Sequence, residues 1–420
     1  MKTIVTLLAA VALLQGSSWK NGLADANGLR SQGRVTEAAV LYQKVVEQAR
    51  HCDLSAPGAA ADLTNLALQF YLDAQYVDAE ALYRLALQAW DIRGPEAIRE
   101  RAITTGDLGN LLRATGRYAE AEPLLNRSLA EIEAVSGSDS PEAAQALDHL
   151  AALYREQGKL PDAATAAERA RRIFDKRVKP GDPDRAANRQ ILAAIYLDQR
   201  RYEEATSLLQ GNLQQEDEQI RSAAYNSLAA AMIGEGNYHA SEKAARRALE
   251  IDQHMLPANH PATAAAWNNL AQACRFQHRY PEAEHAYRQA LAIWENALGP
   301  QHPKFAASLV NLAAFDHELG RDADAEQLYT RAIGIFTASV GEHSAQALVA
   351  RNELAAVWCS ERRYTESEEL TRATLAELQK TLAPDDPRLI RALSNYARLL
   401  AETKRTQEAK TVKARIRALE

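Results

Sequence analysis

Cysteine is nearly absent from this chain of 420 residues: Cys52, Cys274 and Cys359 are the three, an odd number whose spacings match no metal signature. A disulfide framework is therefore excluded, and each thiol reads as a small hydrophobic or incidental side chain. Aromatic residues make up only 6%, so the core is built from many small contacts rather than large rings. No long run carries one sign of charge, and the net charge is −6. The basic stripe of a nucleic-acid binder is missing, which excludes nucleic acid as the partner class. After residue 14 no segment is apolar for the roughly 20 residues that a membrane span needs. The mature chain thus has no integral membrane span. There is no Gly-rich phosphate loop, no Gly-x-Ser-x-Gly elbow and no His-Glu-x-x-His. The pairs His254/His260 and His278/His285 have no third ligand at metal spacing. We expect no catalytic residue, no metal and no cofactor, and the chain reads as a non-enzyme.

What is abundant is alanine, the best helix former and a side chain that lets helices approach closely. Ahead of the alanine-rich body, residues 1–18 read MKTIVTLLAAVALLQGSS. A positive start at Lys2, an apolar run over Thr3–Leu14 and a small polar end are the layout of a secretory signal peptide, with cleavage expected near Gly16–Ser18. That makes the mature protein exported, periplasmic or secreted. A cytoplasmic scaffold is the alternative if the leader stays attached.

The body is one unit repeated. The small residue of a Tyr-x-Glu-Ala signal falls at Ala38, Ala79, Ala121, Ala163, Ala205, Ser241, Ala283, Ala325, Ser367 and Ala409, at spacings of 42 residues apart from one of 41 and one of 36. Twelve residues before each sits a second small residue: Ala26, Ala67, Gly109, Ala151, Ala193, Ala229, Ala271, Ala313, Ala355 and Ala397. The pairing predicts two helices, A and B, that cross where nothing larger fits. Gly33, Gly116, Gly158, Gly236 and Gly320 mark the turn between them, where a left-handed residue ends helix A. Ala74, Arg200, His278, Arg362 and Lys404 take that position in other units and hold the turn at some cost. An acid just before the helix-B small residue suits the helix dipole. Polar-Pro pairs such as Ser140-Pro141, His302-Pro303 and Asp386-Pro387 mark the links between units. Trp90, Phe174, Trp294 and Phe336 share one helix-B column and read as core. The fold class is all-α, an α-solenoid of about ten helix-turn-helix units.

These residues resemble the tetratricopeptide repeat over residues 20–420. The 42-residue period, Asn269-Leu270-Ala271, Asn311-Leu312-Ala313 and the loop Gly299–Pro303 are similar to the kinesin light chain type. The resemblance implies a right-handed superhelix whose concave face, lined by helix A, holds an extended peptide or partner helix. Kinesin light chains grip acidic peptides with basic groove residues, whereas the columns here carry few Lys. The Lys-beside-Asn pattern of a carboxylate clamp is absent as well.

Helix-A columns that face away from the core are the candidate peptide-binding residues. One carries Asn65, Asp107, His149, Asn269, Asn311 and Asn395, and the column before it carries Asn226, Asn268 and Asn352. An amide has two donors and an acceptor, so it can hold a peptide main chain without reading its side chains; equally, it can pack against the next unit. Further along lie Arg113, Arg155, Arg275 and His317. Where the spacing drops to 36, the segment Gln214–Gln219 has lost its Pro, and six residues are expected to be missing from the junction. We expect a bend there, dividing the solenoid into residues 19–215 and 216–420 with five repeats each and a polar capping helix at the end. The expected function is a scaffold binding a protein or peptide. The alternative is a regulatory or assembly subunit of an enzyme or of a secretion or envelope complex.

Overall fold

The computed structural model describes residues 21–26, 28, 35–72, 75–257, 259–382 and 386–419. The leader at 1–18 and the turns at Gly33–Arg34 and Ala74 lie outside the described residues. Within them every regular element is helical and no strand occurs. The chain divides into two compact units of packing. The first holds the described residues up to Leu153, with Pro161–Leu192 and Met255–His260; the second holds Tyr154–Leu160, Ala193–His254 and the described residues from Pro261 onward.

The local rule is clearest where helix A, Pro261–Phe276, turns into helix B, Tyr280–Leu298. The third repeat pairs Ile98–Ala114 with Tyr118–Ser136, the sixth Glu218–Gly234 with Tyr238–Met255, and the ninth Ala345–Ser360 with Tyr364–Thr381. The expected crossing is present in the described repeats. Ala67, Ala151, Ala193, Ala229, Ala271 and Ala313 on helix A are 0% exposed, as are Ala79, Ala121, Ala163, Ala205, Ala283 and Ala325 on helix B. The contact tolerates nothing larger at Gly109, where an added Cβ would lie 2.7 Å from Leu125 Cδ2. Where helix B has serine instead of alanine, the closeness is put to use. Ser241 Oγ donates to the Ala229 carbonyl at 2.9 Å and Ser367 Oγ to the Ala355 carbonyl at 2.7 Å. Phe174, Trp294 and Phe336 are buried as the column predicts, while Trp90 is half-buried and donates from Nε1 to Thr104 Oγ1 at 3.1 Å.

The turns behave as read. Gly116, Gly158, Gly236 and Gly320 have φ between 74° and 79°, and Arg200, His278, Arg362 and Lys404 adopt the same left-handed conformation at φ 59–63°. The polar residues ahead of helix A do more than mark links, because several are N-caps. Asp386 accepts from the Arg388 amide at 2.8 Å, His302 Nδ1 from the Lys304 amide at 3.0 Å and Ser344 from the Ala347 amide at 3.3 Å.

One expectation needs correction. The six missing residues are not taken from the junction. The link Gln214–Asp217 is as long as Gly299–His302, but helix B of the fifth repeat, Tyr202–Leu213, has 12 residues where its neighbours have 18. Gly211 and Asn212 are weak helix formers, and Asp217 restarts the chain by accepting from the Gln219 and Ile220 amides at 2.7 and 3.1 Å. The cap wins over continuation, and helix B loses its last turn and a half.

The acids before the helix-B small residue also do more than face the dipole. In several repeats a turn arginine bridges to the repeat before it. Arg117 Nη1 reaches Glu80 at 2.6 Å and Arg117 Nη2 reaches Glu120 at 2.7 Å. The pattern recurs at Arg405 with Glu368 and Glu408, both at 2.6 Å, and at Arg363 with Glu326 and Glu366 at 2.9 and 2.7 Å.

The left-handed turns yield a stability test. Arg362→Gly and Lys404→Gly should each raise the unfolding free energy by about 0.5–1 kcal/mol, because an exposed L-residue leaves a strained conformation. Gly320→Ala should lower it by a similar amount. Urea melts of the three variants measure this, and equal midpoints would remove the strain argument.

Candidate functional site

The candidate residues lie on helix A, and a single geometric step explains most of their contacts. A residue meets the following repeat one position beyond the period, at a separation of 43. Asn269 Nδ2 donates to the Asn226 side-chain oxygen at 2.6 Å and to its carbonyl at 2.9 Å. Asn311 Nδ2 donates to Asn268 Oδ1 at 2.9 Å. The same step pairs Arg155 Nε with Asp198 at 2.7 Å and Arg275 Nε with Glu318 at 2.5 Å. Four of the amides and two of the arginines therefore join neighbouring repeats. His317 Nδ1 instead contacts Asp322 Oδ1 at 2.6 Å, at the start of its own helix B.

The ladder has two open rungs. Asn352 is 3% exposed, and its Oδ1 is enclosed without a hydrogen-bond partner among the described residues. Asn395, 43 positions later, has an enclosed Nδ2 in the same condition. The Asn352 amide nitrogen is held by Glu353 Oε1 at 3.1 Å, and Glu353 itself is gripped by Arg391 at 2.6 Å. In the first compact unit, His149 stands 43 positions after Gly106, which has no side chain to accept from it. A Cβ at Gly106 would lie 3.8 Å from His149 Nδ1, but also 2.6 Å from Ser128 Oγ, so the position stays glycine. His149 Nδ1 is enclosed and unbonded among the described residues.

The electrostatics differ between the candidates. Burial, and then the charge of Arg113, bring the His149 imidazole down to about 4, so it is neutral near pH 7. Burial pushes the half-buried Asp107 carboxyl up to about 7. Arg113 Nε donates to Asn110 Oδ1 at 2.9 Å, and Asn110 Nδ2 donates to Tyr71 Oη at 3.2 Å. Asn65 is exposed.

In the second compact unit, two of the candidates, Arg155 and Asn311, line a cavity of about 410 Å³. Val310, Gln346 and Val349 line it together with Arg155, Asp198 and Arg200. Asp386 and Arg388 complete its charged lining, paired at 2.7 Å. Gln346 Nε2 donates to the Glu156 carbonyl at 2.8 Å and fixes that edge. Three arginines against two aspartates leave the cavity slightly positive. Periodicity did not find Gln346, Asp386 or Arg388, because they come together only through contacts about 190 residues apart in sequence. Among the described residues, no three His, Cys, Asp or Glu side chains are grouped to hold a metal ion.

Asp107 gives a pH test with a definite sign. Its folded carboxyl titrates near 7 against an ordinary value of 3.8. Its favourable contribution is complete below pH 3.8 and is lost as pH rises through 7. Asp107→Asn, neutral at every pH, should gain on the parent between pH 5 and pH 8 by roughly 1–3 kcal/mol in urea unfolding. A difference that stays flat with pH would show that the carboxyl is solvated.

A family model described as tetratricopeptide repeat matches residues 100–176, 219–296 and 263–338. No curated protein sequence matches the chain. A solved Rap protein, complexed with a competence and sporulation factor, is 16% identical; it covers 83% of this chain and 99% of its own, with a TM-score of 0.56. Kinesin light chain TPR-like repeats from Podosopora anserina are 23% identical over 49% of this chain and 97% of theirs, with a TM-score of 0.40. At these identities the first likeness is one of fold. The matched residues are tetratricopeptide repeats, and the same helical hairpin recurs on either side of them.

Proposed function

We propose that the chain is a non-enzymatic interaction scaffold that takes an extended peptide or a segment of a partner protein along its helix-A face. The observation that carries the reading is the open rung at Asn352 and Asn395. Asn352 Oδ1 and Asn395 Nδ2 have no partner among the described residues, and this acceptor and donor match what a main-chain amide offers once the side chains turn outward to meet it. Burying a polar group without a partner costs about 1–3 kcal/mol, and a ligand that satisfies both recovers it. The cavity of about 410 Å³ begins one to two turns earlier on the same helices, at Gln346, Val349 and Arg388. Its mixed apolar and charged lining suits a side chain anchored beside a held backbone. The Rap structure is complexed with a competence and sporulation factor, and an analogous role in regulation or assembly is consistent with this reading.

We also propose that residues 1–18 direct export and are removed. N-terminal sequencing of the native protein should start near residue 17–19; a native chain beginning at Met1 would place the scaffold inside the cell.

Partner capture on the mature chain, read by mass spectrometry, tests the binding face. Asn395→Ala should deplete the main partner while leaving the melting temperature within about 2 °C, because its Nδ2 has no partner among the described residues. Asn352→Ala should deplete it too, at a cost of about 1 kcal/mol for the lost bond to Glu353. Asn269→Ala should instead lower stability by about 1 kcal/mol through the loss of its bonds to Asn226. An unchanged partner list for the first two variants would move binding away from helix A.

A further inference from the structure

The break in the repeat has a structural consequence on the helix-B side. In the seventh repeat the last turns of helix B bring Ile293 and Trp294 into one core cluster with Phe305 and Leu309 of the next repeat. The counterparts in the fifth repeat are Gln215 and Glu216, which lie in the link after helix B has ended at Leu213. The sixth repeat therefore lacks the apolar cover that its neighbours receive. Its two helices, Glu218–Gly234 and Tyr238–Met255, form a groove of about 780 Å³ with Tyr225, Leu228, Met232 and Ala244 as its floor and Lys243 and Arg247 on the rim. No residue of the shortened helix lines it. One repeat later the equivalent face is closed. Ala286, the counterpart of Ala244, is 1% exposed, whereas Ala244 is only half-buried.

We propose that this groove docks an acidic amphipathic helix of a partner protein, which takes the place of the missing end of helix B. Shape and charge name that occupant. In other repeats the place is filled by about six more helical residues that include the column of Trp90, Phe174, Trp294 and Phe336, so the space fits a helix carrying an aromatic anchor. The rim acids are already held: Glu242 by Arg246 at 2.9 Å and by Arg279 at 2.7 Å, and Glu250 by Arg247 at 2.6 Å. Lys243 is exposed and left as the excess positive charge, facing acids on the incoming helix. The site is formed without any residue of the helix-A ladder, so it stands or falls separately from the binding face proposed above.

A fluorescein-labelled peptide copying Tyr280–Leu298 is a suitable probe. It carries Trp294 as anchor, and Glu282, Glu284 and Glu295 against Arg288 make it acidic. Fluorescence anisotropy with the full chain should show saturable binding. Ala244→Arg, which fills the floor, should weaken it by about tenfold or more, and Lys243→Glu by about threefold to fivefold, in line with a buried anchor against a rim charge. The Trp294→Ala peptide should bind at least about tenfold more weakly. Lys243 is exposed, so its variant should keep the parent's melting curve whatever becomes of Ala244→Arg. No saturable binding, or equal binding by the parent and the Lys243→Glu variant, would overturn the proposal. So would a concentration-dependent dimer that Ala244→Arg abolishes, since the occupant would then be a second copy of this chain.

Discussion

Every other feature of this solenoid depends on how closely two helices approach at a pair of small residues. Ala271 and Ala283 let helix A and helix B touch, and the same pair recurs in repeat after repeat at essentially no exposure. Gly109 marks the limit, since even a methyl there would press on Leu125. Once the crossing is fixed, the direction of every side chain on both helices is fixed with it. A column of identical positions then means a column of identical environments. The aromatic column, the left-handed turn and the 43-residue rung follow from that one contact repeated.

A second layer of polar contacts runs across the repeats and sets their register more than it adds free energy. The turn arginines at positions 117, 279, 363 and 405 each hold an acid of the preceding helix B and an acid of their own. These side chains are about a third exposed, so each pair contributes on the order of 1 kcal/mol or less. Their geometry is bidentate and shared, which penalises a slipped register more than it rewards the native one. Glu242 shows the effect most strongly. Burial would raise its carboxyl, but bonds from Arg279, Gln277 and Arg246 bring it down to about 2. That contribution is complete above the ordinary carboxylate range and is lost as pH falls from about 4.5 to about 2.

Much of this was legible in the sequence. The crossing pairs, the aromatic column and the left-handed conformation of Arg200, His278, Arg362 and Lys404 follow from period and residue type, because each is settled within one hairpin. Contacts between hairpins were less legible. The acids before the helix-B small residue read as dipole partners, since nothing in a single repeat shows that an arginine three residues earlier also reaches back by 37. The asparagine columns were ambiguous between ligand and neighbour for the same reason. Only the one-position offset between stacked helices shows that Asn269 and Asn311 already have partners. The deletion in the fifth repeat was correctly counted and wrongly placed, because spacing alone cannot say whether a helix or a link has shortened.

In a strict repeat, recognition has to come from the departures from it. A column in which each amide meets the next is self-satisfied and has little left to offer a ligand. Selectivity then rests on the positions where the pattern breaks: Gly106 under His149, Asn352 Oδ1 and Asn395 Nδ2 without partners among the described residues, and the helix that stops at Leu213. Each break leaves an unmet hydrogen bond or an uncovered apolar face, and each carries a cost within the fold. A chain that keeps its crossing pairs buried in repeat after repeat among the described residues has enough buried contact to tolerate a few such costs. The features that stabilise the solenoid are therefore its most uniform ones, and those able to distinguish one partner from another are its least uniform.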